Sequence, residues 1–449
     1  VARLDVIDVS IVGGPDVGTR VTTTPISGGR RLDIELYTTA DSPALVHRVG
    51  VVLETDTVRE AVVHGWLGRS EARRRAAADT GTRRNEHPSS GPALPAGTAG
   101  PGDLASHQMV ATDSGTVGWI GTGRHPAVVV VQRDGWMVTA WALLGGVILG
   151  PGETLALDPL VVVPDLDLDA GMVVLAEAWS SAADLGPGGR DRRSEGPQHL
   201  TLGTAPSTVW LADRTAATAK AAVATLADLG VGGVVFDDPG PDGLDAVLTA
   251  AAGAGLRPAI RIDIGRAGGT PGEGGIVDLT RPDAATRLET LGAARRAGGI
   301  DYVLVDGCSA TFAPGARWGD ASLSPLRALR IALESLRRGI GPDAVLHLSD
   351  APLAVAPGIA DVVEAMPPAG PGGDLGRTAE TAHRRRALHG RVWAAATAPL
   401  LPEDWDAPDP ARAPALESIG TTTGTVVLVG DPEAWSPDAC HAVRRIATR

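Results

Sequence analysis

Cysteine is nearly absent from this chain: Cys308 and Cys440 are the two it has, and they lie far apart. That excludes a disulfide framework and leaves room for one bridge at most. Lysine is scarcer still. Lys220 stands alone and arginine carries nearly all the positive charge, which reads as codon bias. Positive charge as a whole is short, with 40 Lys+Arg against 53 Asp+Glu and a formal net charge of −13. A nucleic-acid binder neutralises phosphates with Lys and Arg, so that class is excluded. Long apolar runs are missing as well. The longest, "VTAWALLGGVILG" at 138–150, is too short to span a bilayer and is interrupted by Gly145 and Gly146. The opening "VARLDVIDVSIVGG" has no h-region of a signal peptide. The expectation is a soluble protein with no membrane partner, cytoplasmic, with secretion and self-association left open.

What is present divides into two halves of different period. At 449 residues and 43% hydrophobic content, two or three domains with a sizeable core are expected. Up to about residue 180 the chain reads as β, with Val- and Ile-rich runs such as "LDVIDVSIV", "RLDIELYT", "VGVVLET" and "PAVVVVQRDG" between Gly, Pro and Asp. Many short strands with turn punctuation predict an antiparallel sandwich. The Pro-, Gly- and Ser-rich insertion at 81–103 reads as a loop. "LGPGGRDRRSEGPQ" at 185–198 reads as a boundary. Beyond it, eight strand-length apolar runs appear at 207–212, 233–238, 257–264, 302–307, 344–350, 361–366, 391–396 and 424–430. Ala- and Leu-rich segments of helical period lie between them. That alternation predicts a (β/α)8 barrel. An open doubly wound sheet is the alternative, weakened because no Gly-rich dinucleotide fingerprint follows the first strand. The expected domains are 1–184, a β-sandwich; 185–204, a linker; and 205–449, the barrel.

In such a barrel, chemistry sits at the carboxyl ends of the strands. There the sequence places Asp237 and Asp238, Asp263, Asp306, Ser349 with Asp350, and Glu364. Each alone reads as a helix cap or turn residue. Together they make an acidic ring that folding does not require. Two carboxylates near one bond are the working parts of a glycosidase. A Mg²⁺ site would use the same residue types, so the ring by itself leaves metal chemistry open. "PDLDLDAG" at 164–171 has its Gly one place late for a calcium loop and reads as a connector. "GRAGGTPGEGG" at 265–275 lacks the Gly-Lys-Ser/Thr of a phosphate loop.

A set of landmarks in order resembles the melibiase-type α-galactosidases, the group that includes raffinose synthases. They are "HGWLGRSEARR" at 64–74, "LGPGETLALDPLVV" at 149–162, "GVVFDDP", "IVDLTRPDAATRLETL" at 276–291, "DYVLVDG", "LSDAPLAVAPGIADVVEAM" at 348–366 and "RALHGRVWAAATAPLL" at 386–401. The resemblance implies a β-supersandwich, a (β/α)8 barrel and a small C-terminal β domain, for which the match leaves no room. It implies a carbohydrate ligand of α-galactoside type and no cofactor or metal. Carried over by residue, Asp306 matches the nucleophile, Asp237 and Asp238 the pair that binds the sugar's 4- and 6-hydroxyls, and Arg317 and Trp210 further binding residues. The departures are specific. Leu304 stands where the family has a lysine two residues before the nucleophile. Pro371 falls at the family's acid/base aspartate. Asp374, three residues on, and Glu364 of the sixth strand are the catalytic candidates that remain; Asp350, after the fifth strand, is a further candidate and is expected among the substrate-binding residues. The expectation is a retaining α-galactosidase-like hydrolase with an eroded site, the alternative being an inactive relative that binds sugar or acts as a scaffold.

Overall fold

The computed structural model describes residues 4–39, 41–56, 58–65, 72–76, 94–100, 103–132, 134–183, 208–211, 219–239, 243–267, 277–312, 319–320, 323–367, 375–397, 400, 415, 419, 423 and 425–447. The linker expected at 185–204 and most of the insertion at 81–103 lie outside these residues.

The first half is built from β1 (Leu4–Gly13), β2 (Val17–Ile26), β3 (Gly29–Thr38), β4 (Ala44–Thr55), β5 (Glu60–His64), β6 (Ala72–Ala76), β7 (Leu104–His107), β8 (Met109–Thr112), β9 (Gly115–Trp119), β10 (Ala127–Val131), β11 (Met137–Leu149), β12 (Thr154–Ala156) and β13 (Leu160–Pro164). They form two antiparallel sheets. One runs β1-β4-β11-β10-β7; the other runs β12-β3-β13-β9-β8-β5-β6, with β2 added beside β3. The period-2 pattern explains the pairing. Leu32, Ile34 and Leu36 of β3 point to one face and meet Val49, Val51 and Leu53 of β4, all buried in a shared apolar layer.

A helix, α1 (Leu168–Ala183), closes this half. Sequence reading took the region as β and "PDLDLDAG" as a strand connector, yet Met172, Leu175, Ala176 and Trp179 are buried at helical spacing. Asp167 starts the helix: its Oδ1 accepts from Asp169 N at 3.0 Å and Ala170 N at 2.8 Å. The aspartate that suggested a cation loop caps a helix instead.

The second half is the barrel. Its strands are β14 (Thr208–Leu211), β15 (Gly233–Asp237), β16 (Arg257–Asp263), β17 (Tyr302–Asp306), β18 (Val345–Leu348), β19 (Val362–Glu364), β20 (Ala394–Ala396) and β21 (Val427–Val429), each inside one of the eight apolar runs. All neighbouring pairs are parallel, in the order β20-β19-β18-β17-β16-β15-β14-β21. The bridges Ala396↔Thr425 and Leu400↔Leu428 nearly close the ring between β20 and β21. Helices α2 (Lys220–Asp228), α3 (Leu244–Gly253), α4 (Ile264–Ala267), α5 (Pro282–Ala297), α6 (Pro325–Ile340) and α7 (Leu375–Arg385) fall between strands. Alternation along each strand sorts the side chains. In β17, Val303 and Val305 pack outward in the main core, while Tyr302 and Leu304 pack inward with Val235, Ala259 and Trp210. No described helix is long and apolar enough to cross a membrane.

The halves meet through side chains. Trp179 of α1 donates from Nε1 to Gly121 O at 2.9 Å and packs edge-on against Trp393, centroids 5.6 Å apart. Arg386 pairs with Asp169 at 2.8 Å.

Candidate active site

The inward rows of β15, β16, β17 and β19 deliver their last residues to one end of the barrel. Asp306, the final residue of β17, is buried at the centre of this mouth. Arg261 of β16 donates to its Oδ2 from Nε at 3.0 Å and from Nη2 at 2.8 Å. The third arm of the same guanidinium, Nη1, reaches Asp237 Oδ1 at 3.1 Å. Trp210 donates from Nε1 to that oxygen at 3.3 Å, and its ring lies under the guanidinium, 4.6 Å from centroid to Cζ. Burial pulls the Arg261 pKa down, but the hydrogen bond and charge of Asp306, followed by those of Asp237, outweigh it and hold it above the ordinary arginine value.

On the other side of Asp306, Ser349 places Oγ 3.3 Å from Asp306 Oδ1 and 3.0 Å from Glu364 Oε2. A hydroxyl carries one proton, so both contacts are hydrogen bonds together only when one of the carboxyls holds a proton. Glu364 ends β19 and is 1% exposed. Deeper in the barrel, Tyr302 Oη meets His347 Nδ1 at 2.8 Å, and burial pushes the Tyr302 phenol above its ordinary value.

The other strand-end carboxylates have different duties. Asp238 faces away from this cluster and pairs with Arg295 of α5 at 2.9 Å. Asp350, at φ 48°, turns its carboxylate onto the loop after β17: Oδ1 accepts from Cys308 N at 3.0 Å, and Oδ2 accepts from Ser309 N at 3.2 Å and from Ser309 Oγ. Asp263 Oδ1 accepts from Gly265 N at 3.0 Å. Thus Asp306, Asp237, Trp210 and Glu364 come together, Asp350 fixes a loop, and Asp238 braces a helix. Arg317 and Asp374 lie outside the described residues. Among the described residues no three His, Cys, Asp or Glu side chains converge to hold a metal ion.

Sequence reading missed Arg261 and Ser349's bridging position. Arg261 had a signal: a charge between Ile260 and Ile262 in an otherwise apolar strand must be paired if it faces inward.

No protein-family model matches the chain, and no curated protein does. Solved structures do. An α-galactosidase from Thermus thermophilus, in complex with p-nitrophenyl α-D-galactopyranoside, aligns at TM-score 0.63 and 15% identity over 98% of this chain and 95% of its own. A GH36 α-galactosidase from Geobacillus stearothermophilus, with 1-deoxygalactonojirimycin, gives 0.58 and 12% over 100% and 73%. An α-N-acetylgalactosaminidase from Bifidobacterium bifidum gives 0.50 and 10% over 96% and 84%. At such identities the likeness speaks for architecture, and on that footing the chain has the α-galactosidase fold, sheets and barrel together.

Proposed function

We propose that the barrel mouth hydrolyses α-galactoside-like glycosides with retention, Asp306 serving as the nucleophile. One observation carries the reading: Asp306 stands at the end of the fourth barrel strand with a second carboxyl, Glu364 on the sixth, linked to it through Ser349 Oγ. A double displacement needs a second carboxyl near the nucleophile, and Glu364 is the one the described residues place there. In the first step an Asp306 oxygen attacks the anomeric carbon, the C–O bond to the leaving group breaks, and a glycosyl ester forms. Water then cleaves the ester and regenerates the carboxylate. Asp237 and Trp210 line the sugar side. Glu364 is the candidate proton carrier, acting through Ser349. Asp374 is a further candidate.

A second reading, sugar binding without turnover, is favoured by the Arg261 fork. Two N–H donors on Asp306 Oδ2 lower the nucleophilicity of the group that must attack.

An activated aryl α-galactoside decides between them, because its leaving group needs no protonation. Wild type is expected to release the phenol and Asp306→Ala to fall to background. Equal rates in the two proteins sink the hydrolase reading. If calorimetry still detects galactose binding under those conditions, the binding reading stands.

A further inference from the structure

Arg261 ties three strands of the mouth together. It lies in β16, with Asp237 as its Cα partner in β15 and Leu304 as its Cα partner in β17. Leu304 is buried among apolar side chains, so the inward row of β17 offers no cation at that level. The positive charge comes from the adjacent strand. Its geometry is a fork, with two donors on Asp306 Oδ2 and one on Asp237 Oδ1. The flat face of the guanidinium rests on the Trp210 ring, which itself bonds Asp237. Two carboxylates held near one another repel, and a planar cation between them removes that cost while fixing both orientations.

We infer that Arg261 is the positioning residue of this site, holding Asp306 ionised and in place between β15 and β18. The assignment rests on the reading of Asp306 as the reactive group. The raised pKa of Arg261 agrees with it, since each partner of an ion pair favours the other's charged form.

Asp306 can be titrated directly by infrared difference spectroscopy, each protein measured against its own Asp306→Asn counterpart. The Arg261→Gln variant is expected to move the carboxyl midpoint up by about one pH unit or more. The Arg261→Lys variant keeps a charge but loses the fork, so its midpoint is expected to lie in between. A purely structural role does not move this midpoint, and an identical midpoint in wild type and folded variants overturns the assignment. Where the Gln variant fails to fold, the Lys variant carries the test by the same criterion. Aryl α-galactoside turnover by wild type is read separately. A shifted midpoint without turnover supports Arg261's role and refutes the hydrolase reading, so the two failures are distinct.

Discussion

Gly307 follows Asp306 directly, and its φ of 75° lies in the left-handed region that a side chain resists. A Cβ there would sit 2.3 Å from Asp263 Oδ1 and 3.1 Å from its Cγ. The chain must turn sharply after the strand, and it does so against a carboxylate that is itself tied to Gly265 N. Gly307→Ala therefore meets two penalties, one of backbone and one of contact. Together they are expected to cost about 1–3 kcal/mol and to lower the melting temperature by several degrees. Removing the carboxylate in Gly307→Ala with Asp263→Ala relieves the contact alone, so the double variant should regain part of the loss. Additive melting shifts in the two single variants and the double would show that the two residues do not meet. On the hydrolase reading proposed above, turnover of an aryl α-galactoside falls in the single variant as well, because the turn begins at the residue directly after Asp306.

The strands show which features a sequence displays and which it hides. All eight barrel runs were legible, because parallel strands buried on both faces read as short apolar blocks between breakers. The carboxylates that end β15, β16, β17 and β19 were legible because each interrupts an apolar block. The facing of each end was not. Asp237 and Asp238 are neighbours and point to opposite sides, a choice set by register with β16. Asp350's task depends on a positive φ that no propensity announces. Arg261 carries a signal in its apolar neighbours Ile260 and Ile262, but its partners Asp306 and Asp237 come from other strands and only the register brings them together. The helix α1 was overlooked because the β pattern before it set the expectation, although its buried residues follow helical spacing. That helix bears weight. Trp179 is fully buried, donates to Gly121 O and meets Trp393 of the barrel edge-on. Trp179→Ala empties that space and is expected to destabilise by about 3–5 kcal/mol. Trp179→Phe keeps most of the volume and loses the hydrogen bond, for about 1–3 kcal/mol, since Gly121 O is left without that donor. Chemical denaturation measures both; a pair of variants as stable as wild type would remove α1 from the contact between the halves.

Across the whole molecule, one apolar cluster runs from Met109, Ile120 and Val161 of the sheets through Trp179 to Val355 and Trp393 of the barrel. Polar groups caught near this junction have little water to turn to. His64 ends β5 with both ring nitrogens buried and, among the described residues, unbonded. Burial, and then the charge of Arg385 on α7, lower its pKa to about 3. The folded chain therefore keeps His64 neutral across the range in which an unfolded chain protonates it at its ordinary value of 6.5. Stability from this group is fully present above 6.5 and is lost as pH falls toward 3, by about 1.4 kcal/mol per pH unit once well below 6.5. His125 and His389 are also lowered, chiefly by burial, and contribute in the same direction. Their presence is why the test must be a difference. His64→Leu removes one titrating group and two unbonded nitrogens while keeping an apolar body in place. Denaturation measured from pH 7 to 5 should show a shallower fall in the variant than in wild type, by close to one proton's worth of slope at pH 5. Carboxylate effects are common to both proteins and cancel in the comparison. Parallel slopes would mean that His64 takes up its proton in the folded chain as readily as in the unfolded one, and would overturn the assignment of a lowered pKa to its burial beside Arg385.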